Sequence, residues 1–188
     1  EKLNLEIISG DSMQIYKGMD IGTAKPTAED RAEVPHWGLD LVQPDERFTA
    51  ADFKFYAQQK IAEIRARGHL PIVVGGTGLY VDGLIFDYQF SAADPAKRQK
   101  LEKMSLEELH QYCKNNNVTL PENHQNRRYV IRAIEQKNVS VKRLIEPIPN
   151  TIIVGIATER DVLRTRIANR AEQLFETGMV EEAKMLGE

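Results

Sequence analysis

A single cysteine, Cys113, leaves no partner for an internal disulfide and no cysteine zinc site, and it fits a reducing cytosol. The four histidines, at 36, 69, 110 and 124, show no metal-ligand spacing. No apolar stretch approaches the roughly 20 residues that span a bilayer, and no secretory signal is visible, so no membrane partner is expected. There is no excess of positive charge: 25 Lys and Arg stand against 28 Asp and Glu, a net charge of -3, which argues against a generally basic nucleic-acid binder. Internal repeats and low-complexity tracts are missing too. The chain also lacks an initiating methionine. It opens at Glu1 as if in mid-element, and an upstream segment is expected.

What is present supports a folded chain. With 188 residues, 41% of them hydrophobic, one domain or one domain with an insertion can bury a sizeable core. The charge is unevenly spread. Residues 91–145 carry eleven Lys/Arg and six Asp/Glu, a local balance of +5 that leaves -8 for the remainder. An acidic body with a basic segment suits a small-ligand site beside a polyanion-docking surface, although salt-bridged helix surface gives the same pattern.

The hydrophobic pattern alternates between strand and helix. Leu5–Ile8 reads as a strand, Thr27–Arg31 as a short polar helix, and Leu39–Val42 as a second strand, with 34–38 as punctuation. Thr49 caps a helix to about Arg67, whose Phe53, Ala57, Ile61 and Ile64 share a face and which Gly68 closes. Ile72–Val74 reads as a strand buried on both faces of a parallel sheet. The order predicts an α/β sheet. From Phe86 helical patterns take over, at 95–104, 105–114 and 127–136, with Ser105 and Glu108 as a capping box. Thr151–Ala157 reads as a return to a buried strand. A helix capped by Thr158 follows to about Phe175, Gly178 breaks it, and a last helix ends near Leu186.

Three constellations could carry chemistry. Asp11, Ser12 and Gln14 follow the first strand at once, where ligands of open α/β sheets bind, but Asp11 or Ser12 reads equally well as a helix N-cap. Gly75-Gly76-Thr77-Gly78 would let a phosphate or base approach backbone groups, or is simply a tight strand–helix turn. Arginines cluster at 127, 128 and 132, at 160, 164, 166 and 170, and with lysines at 97, 98 and 100. Guanidinium forks suit phosphates, and each cluster alone also reads as a solvated helix face. Tyr16, Tyr80 and Trp37 could stack on a base or pack in the core.

The stretch from Asp11 to Pro26, DSMQIYKGMDIGTAKP, resembles the signature of the tRNA dimethylallyltransferases (isopentenyl-tRNA transferases), as does Leu70–Tyr80, LPIVVGGTGLY. Phe48–Phe53, Ala93–Pro95, Arg132–Glu135 and the run from Glu159 through Ile167 to Gly178 agree, in the family's order over nearly the whole chain. The resemblance implies a P-loop NTPase-like parallel sheet flanked by helices (residues 1–86 and 150–188) with a helical tRNA-binding insertion (87–149). It implies a Mg²⁺-dependent transfer of a dimethylallyl group from its diphosphate to the exocyclic amine of the adenosine 3′ to the anticodon, in the cytoplasm, by a monomer that docks the anticodon stem-loop.

Carried over by position, the resemblance makes Asp11 the general base and joins Ser12, Met13 and Gln14 to it as a tRNA-contacting stretch. Thr77 becomes a catalytic, tRNA-contacting residue at the glycine loop and Arg98 a catalytic basic residue near the reaction centre, and Arg128, Tyr129, Val130, Ile131 and Arg132 match the insertion's tRNA-binding stretch. Arg166 and Arg170 are assigned to pyrophosphate or backbone from their shared helix face. The chain departs from the family in three ways. The N-terminal phosphate loop is absent, and a chain truly without it should be inactive. His36-Trp37 replaces paired histidines, and the chain is shorter near Phe90, Asn126 and 136–147. An adenylate isopentenyltransferase, a P-loop small-molecule kinase and a non-enzymatic RNA-binding module are the alternatives. The first has no use for the basic segment, the second lacks kinase signatures here, and the third leaves Asp11 without a purpose.

Overall fold

The computed structural model describes residues 4–90, 94–137 and 142–187. They divide into two compact units, one of Glu1–Asp87 with Leu144–Glu188 and one of Tyr88–Arg143.

The first unit is built on three parallel strands in the order β2-β1-β3, with β1 at Leu5–Ser9, β2 at His36–Trp37 and β3 at Leu70–Val74. Leu5 pairs with Leu70 and Ser9 with Val74, so β1 and β3 end side by side. Helix α1 (Ala28–Glu33) and helix α2 (Ala50–Ala66) each open on a reciprocal capping box, Thr27 with Asp30 and Thr49 with Asp52. Gly68 ends the α2 segment at φ +75°, a conformation that costs glycine least. The helical spacing of α2 delivers Phe53, Ala57 and Ile64 into a core with Ile8, Tyr80 and Leu84, the last two from helix α3 (Gly78–Ile85). Helix α7 (Arg160–Glu176) and helix α8 (Met179–Leu186) complete this unit, with Gly178 at φ +103° between them.

The second unit packs helix α4 (Pro95–Glu102), helix α5 (Leu106–Asn115) and helix α6 (Arg127–Gln136) around Leu101, Leu109, Cys113, Val130, Ile131 and Ile134. Asp94 caps α4 ahead of Pro95, and the Ser105–Glu108 box opens α5 as its sequence predicts. Burial raises the Cys113 thiol pKa, so this lone cysteine is a core residue rather than a reactive thiol.

Four expectations are corrected. The second strand lies at His36–Trp37, within the supposed punctuation, because Ile7 and Ile8 of β1 supply its ladder; Val42 makes only an isolated bridge to Tyr16. Strand β3 is not buried on both faces, since Leu70 and Val74 are about half exposed at the edge of the described sheet. Thr151–Ala157 forms no strand, and Ile152, Val154 and Ile156 are exposed. An apolar run becomes a strand only where a neighbour's backbone pairs with it. Helix α7 is flanked by Glu159, not Thr158, with no side-chain cap.

Candidate active site

Because β1 and β3 are parallel neighbours, the segments that follow them leave from the same edge of the sheet, the edge where α/β proteins place ligands. The two turns are packed backbone to backbone. The Gly10 N–H donates to Val74 O at 2.7 Å, and a Cβ on Gly75 would sit 2.4 Å from the carbonyl carbon and oxygen of Gly10. Gly75 is therefore demanded by close approach. A Cβ on Gly76 or Gly78 would meet no atom within 4 Å, so no internal packing demands these two.

Thr77 joins the turns. Its Oγ1 accepts from the Ser12 N–H at 3.0 Å and donates to Ser12 Oγ at 3.3 Å. For that reason the hydroxyl makes no capping bond to α3, although Thr77 holds the N-cap position. Asp11 Oδ1 accepts from the N–H groups of Met13 (2.7 Å) and Gln14 (3.4 Å). This is the local turn bond that the cap reading anticipates, and it leaves Oδ2 without a hydrogen bond among the described residues. One oxygen fixes the carboxylate and the other is available to a substrate proton. Met13 is half exposed beside it.

The remainder of the 9–25 loop is held by buried polar groups. Of the four buried polar side chains among the described residues, Ser9, Lys25 and Glu182 bind this loop. Gln14 accepts from Ser9 Oγ at 2.8 Å and donates from Nε2 to the carbonyls of Thr23 (3.2 Å) and Ala24 (3.3 Å). Its amide is thereby occupied inside the protein. Lys25 Nζ donates to Asp20 and Asp40 at 2.6 Å each and to Tyr16 O at 2.8 Å, and Arg31 reaches Asp40 at 3.2 Å. From α8, Glu182 Oε2 accepts from the N–H groups of Asp20 and Ile21 at 2.7 Å, and Oε1 from Gly22 at 2.9 Å. Burial alone would push this carboxyl up, but the three N–H groups and the Lys25 charge outweigh it and hold its pKa below the usual value.

A second polar cluster lies further back on β1. Buried Glu6 accepts from Trp37 Nε1 (2.6 Å) and from Arg67 (2.8 and 3.1 Å), and His69 Nδ1 lies 2.8 Å from it. The Arg67 bond, opposed by burial and aided by Trp37 and His69, lowers the Glu6 pKa to about 2. Trp37 is thus engaged with Glu6, and Lys60 sits 4.5 Å over its ring. Tyr80 stacks on Phe53 at 4.2 Å, and its hydroxyl pKa is raised to about 12 by burial, then by Tyr16, Asp52 and Asp11. Both rings serve packing.

The basic residues fall into two sets. In the helical unit, Arg98 is paired with Glu102 (2.8 Å) and Glu135 (3.2 Å), and Arg127 donates to the carbonyls of Glu102 and Met104 at the end of α4. These two, with Glu102, Arg128 and Ile131, line a cavity of about 440 Å³. The stretch Arg128–Arg132 divides by face. Arg128, Tyr129 and Arg132 are exposed, whereas Val130 and Ile131 lie in the core. The side chains of Val130 and Ile131 pack in the core, because the apolar stripe of α6 is what holds α4 and α5, and Ile131 also borders the cavity. In the first unit, Arg166 and Arg170 project from α7, which buries no residue, and neither makes a hydrogen bond or ion pair among the described residues. No described bond brings them to Asp11 or Thr77.

Glu182 and the internal role of Gln14 are the residues that sequence reasoning missed. Glu182 lies 162 residues from Asp20 and reads like any acidic helix residue, so no local signal could have found it. Among the described residues no group of three or more His, Cys, Asp or Glu is placed to hold a metal, and no helix is long and apolar enough to cross a membrane.

Comparison with known proteins sets this geometry in context. The family model described as IPP transferase matches residues 14–188. A "tRNA dimethylallyltransferase" of Bacillus velezensis is 42% identical over 98% of this chain and 64% of its own length. One of Pelotomaculum thermopropionicum is 45% identical over 99% and 64%. Among solved structures, the full-length tRNA isopentenylpyrophosphate transferase of Bacillus halodurans superposes with a TM-score of 0.67 at 42% identity, covering 98% of this chain and 62% of that one. A eukaryotic dimethylallyltransferase gives a TM-score of 0.73 at 24% identity, covering 98% and 50%, a likeness of fold alone. The chain thus spans about two thirds, at 64%, of the length of the curated relatives it matches.

Proposed function

The chain belongs to the IPP transferase family, and on that footing we propose that it acts within a tRNA-modifying prenyltransferase. The dimethylallyl group of dimethylallyl diphosphate passes to the exocyclic amine of the adenosine 3′ to the anticodon. The observation that carries the reading is the Asp11 carboxylate. It stands at the joint end of β1 and β3 inside the family signature, with Oδ1 anchored by two N–H groups and Oδ2 available.

In this reaction the allylic C–O bond breaks and its electron pair leaves with the diphosphate. The amine nitrogen forms the new C–N bond, and its proton passes to Asp11 Oδ2. The adenine amine is a weak nucleophile because its lone pair is delocalised into the ring. Positioning and a hydrogen-bonding carboxylate are what the protein contributes. Thr77 fixes the turn that carries Asp11, and Ser12 and Met13 flank the amine's approach. Arg98, which is paired with two carboxylates beside the cavity, is the basic residue that the family resemblance sets near the reaction centre.

That unit, Tyr88–Arg143, is the proposed docking surface for the anticodon stem-loop, with Arg128, Tyr129 and Arg132 exposed on it. Splaying a loop base out of its stack costs a few kcal/mol, of the order that phosphate contacts can offset. Arg166 and Arg170 are assigned to pyrophosphate or tRNA backbone. Mg²⁺ accompanies the diphosphate in this reading. Such ions use one or two carboxylates together with substrate phosphates, the described residues form no cage of their own, and no step is assigned to the ion. The protein is placed in the cytoplasm as a monomer.

The whole protein, incubated with labelled dimethylallyl diphosphate, Mg²⁺ and either unmodified tRNA, AMP or ATP, should label tRNA alone. Label confined to the nucleotides would replace this reading with an adenylate isopentenyltransferase.

A further inference from the structure

The 20–24 segment has its backbone groups claimed from two sides. Its donors, the N–H groups of Asp20, Ile21 and Gly22, converge on the carboxylate of Glu182, a buried residue that is 8% exposed. Its acceptors, the carbonyls of Thr23 and Ala24, converge on Gln14 Nε2. Gln14 in turn receives Ser9 Oγ at the end of β1 and donates its own N–H to Asp11 Oδ1. A continuous set of hydrogen bonds therefore runs from α8 through the 20–24 segment and Gln14 to the Asp11 carboxylate.

Three consecutive N–H groups around one carboxylate form an anion nest, and here the anion is built into the protein. Lys25, bonded to Asp20 and to Tyr16 O, also ties down the start of the same segment. Without the carboxylate, three N–H groups lose their acceptor, and the carbonyls that hold Gln14 lose their fixed position.

We propose that Glu182 is a positioning residue for Asp11, acting through the 20–24 segment and Gln14. This rests on the transferase reading, in which Asp11 Oδ2 takes the amine proton. Glu182 itself touches no substrate. Its contribution is the angle at which Oδ2 meets the amine, so its loss is felt in turnover more than in substrate affinity.

The test uses the whole protein with Glu182→Ala and Glu182→Gln, and Glu181→Ala as the neighbouring control. In Glu182→Ala, kcat for transfer to tRNA should fall about 10- to 100-fold, the scale of an ångström-sized misplacement, while KM for dimethylallyl diphosphate stays within about twofold. Added formate, which fits the vacated nest, should restore kcat in Glu182→Ala and leave wild type unchanged. Glu182→Gln keeps an acceptor for two of the three N–H groups but sets an amide donor against Gly22, so its kcat should lie between the two, even where the alanine variant folds poorly. Hydrogen exchange at residues 20–22 should quicken in Glu182→Ala and not in Glu181→Ala. Wild-type kcat in Glu182→Ala overturns the inference alone, as does a loss that formate cannot restore. Wild-type protein that never labels tRNA overturns the transferase reading and the inference with it.

Discussion

The Thr77 hydroxyl accepts the Ser12 N–H at 3.0 Å across sixty-five residues of sequence, and so locks the turn after β3 to the turn after β1. Thr77→Val keeps the shape and removes both hydrogen bonds, leaving a part-buried N–H without an acceptor. It should cost about 1–3 kcal/mol in denaturant unfolding. Thr77→Ser should retain most of that stability. An equal loss in both variants would assign the effect to the methyl group instead.

The glycines of the same turn separate by what surrounds them. Gly75→Ala drives a Cβ to 2.4 Å from the Gly10 backbone, which has no rotamer to yield. It should destabilise by about 1–3 kcal/mol or more. Gly76→Ala meets open space and should unfold within about 0.5 kcal/mol of wild type. If Gly76→Ala nevertheless abolishes transfer to tRNA, the space over Gly76 belongs to a substrate.

Asp11→Asn separates anchoring from proton transfer. Asparagine keeps an oxygen for the Met13 and Gln14 N–H groups, so the turn and tRNA affinity should survive while transfer falls at least about 100-fold, the lower end of the usual general-base range. Retained turnover would remove Asp11 as the base.

Acid should weaken the first unit through Glu6. Its folded pKa of about 2 lies below the ordinary 4.5, so its contribution is present in full above about pH 4.5 and drains away as pH falls toward 2. At 1.36 kcal/mol per unit, the shift corresponds to about 3 kcal/mol. In Glu6→Gln, stability measured between pH 5 and 2 should lose this slope. A variant whose acid profile parallels wild type would place the acid sensitivity elsewhere.

Two neighbours on α6 should behave oppositely. Arg128 is exposed and its side chain makes no hydrogen bond or ion pair among the described residues, so Arg128→Ala should weaken tRNA binding and reduce the salt slope by about one. Val130 is fully buried, so Val130→Ala should lower the melting temperature and leave the salt slope alone. Filter-binding titrations across a salt series distinguish the two.

Helix caps and helical periodicity are legible in the residues themselves. Thr49 as an N-cap and Ser105 with Glu108 as a capping box announce their helices because a cap bond closes within four residues, and the α2 stripe names its own core face. The family is legible too, through the long motif from Asp11 to Pro26, as is the placing of Asp11 and Thr77 at strand ends. Where a residue's fate depends on a distant neighbour, it becomes visible in the folded chain alone. His36–Trp37 is a strand because β1 lies beside it, while the more apolar Thr151–Ala157 finds no ladder partner among the described residues. Val130 and Ile131 share a sequence stretch with Arg128 but not a face. The bonds of the Gln14 amide to the carbonyls of Thr23 and Ala24 are likewise set by the fold. Glu182 is silent in sequence because a carboxylate shows no sign of which backbone it will meet 162 residues away. Capping and periodicity are short-range and so written locally. Strand pairing, burial and the satisfaction of buried polar groups are set by contacts that exist only once the chain has folded.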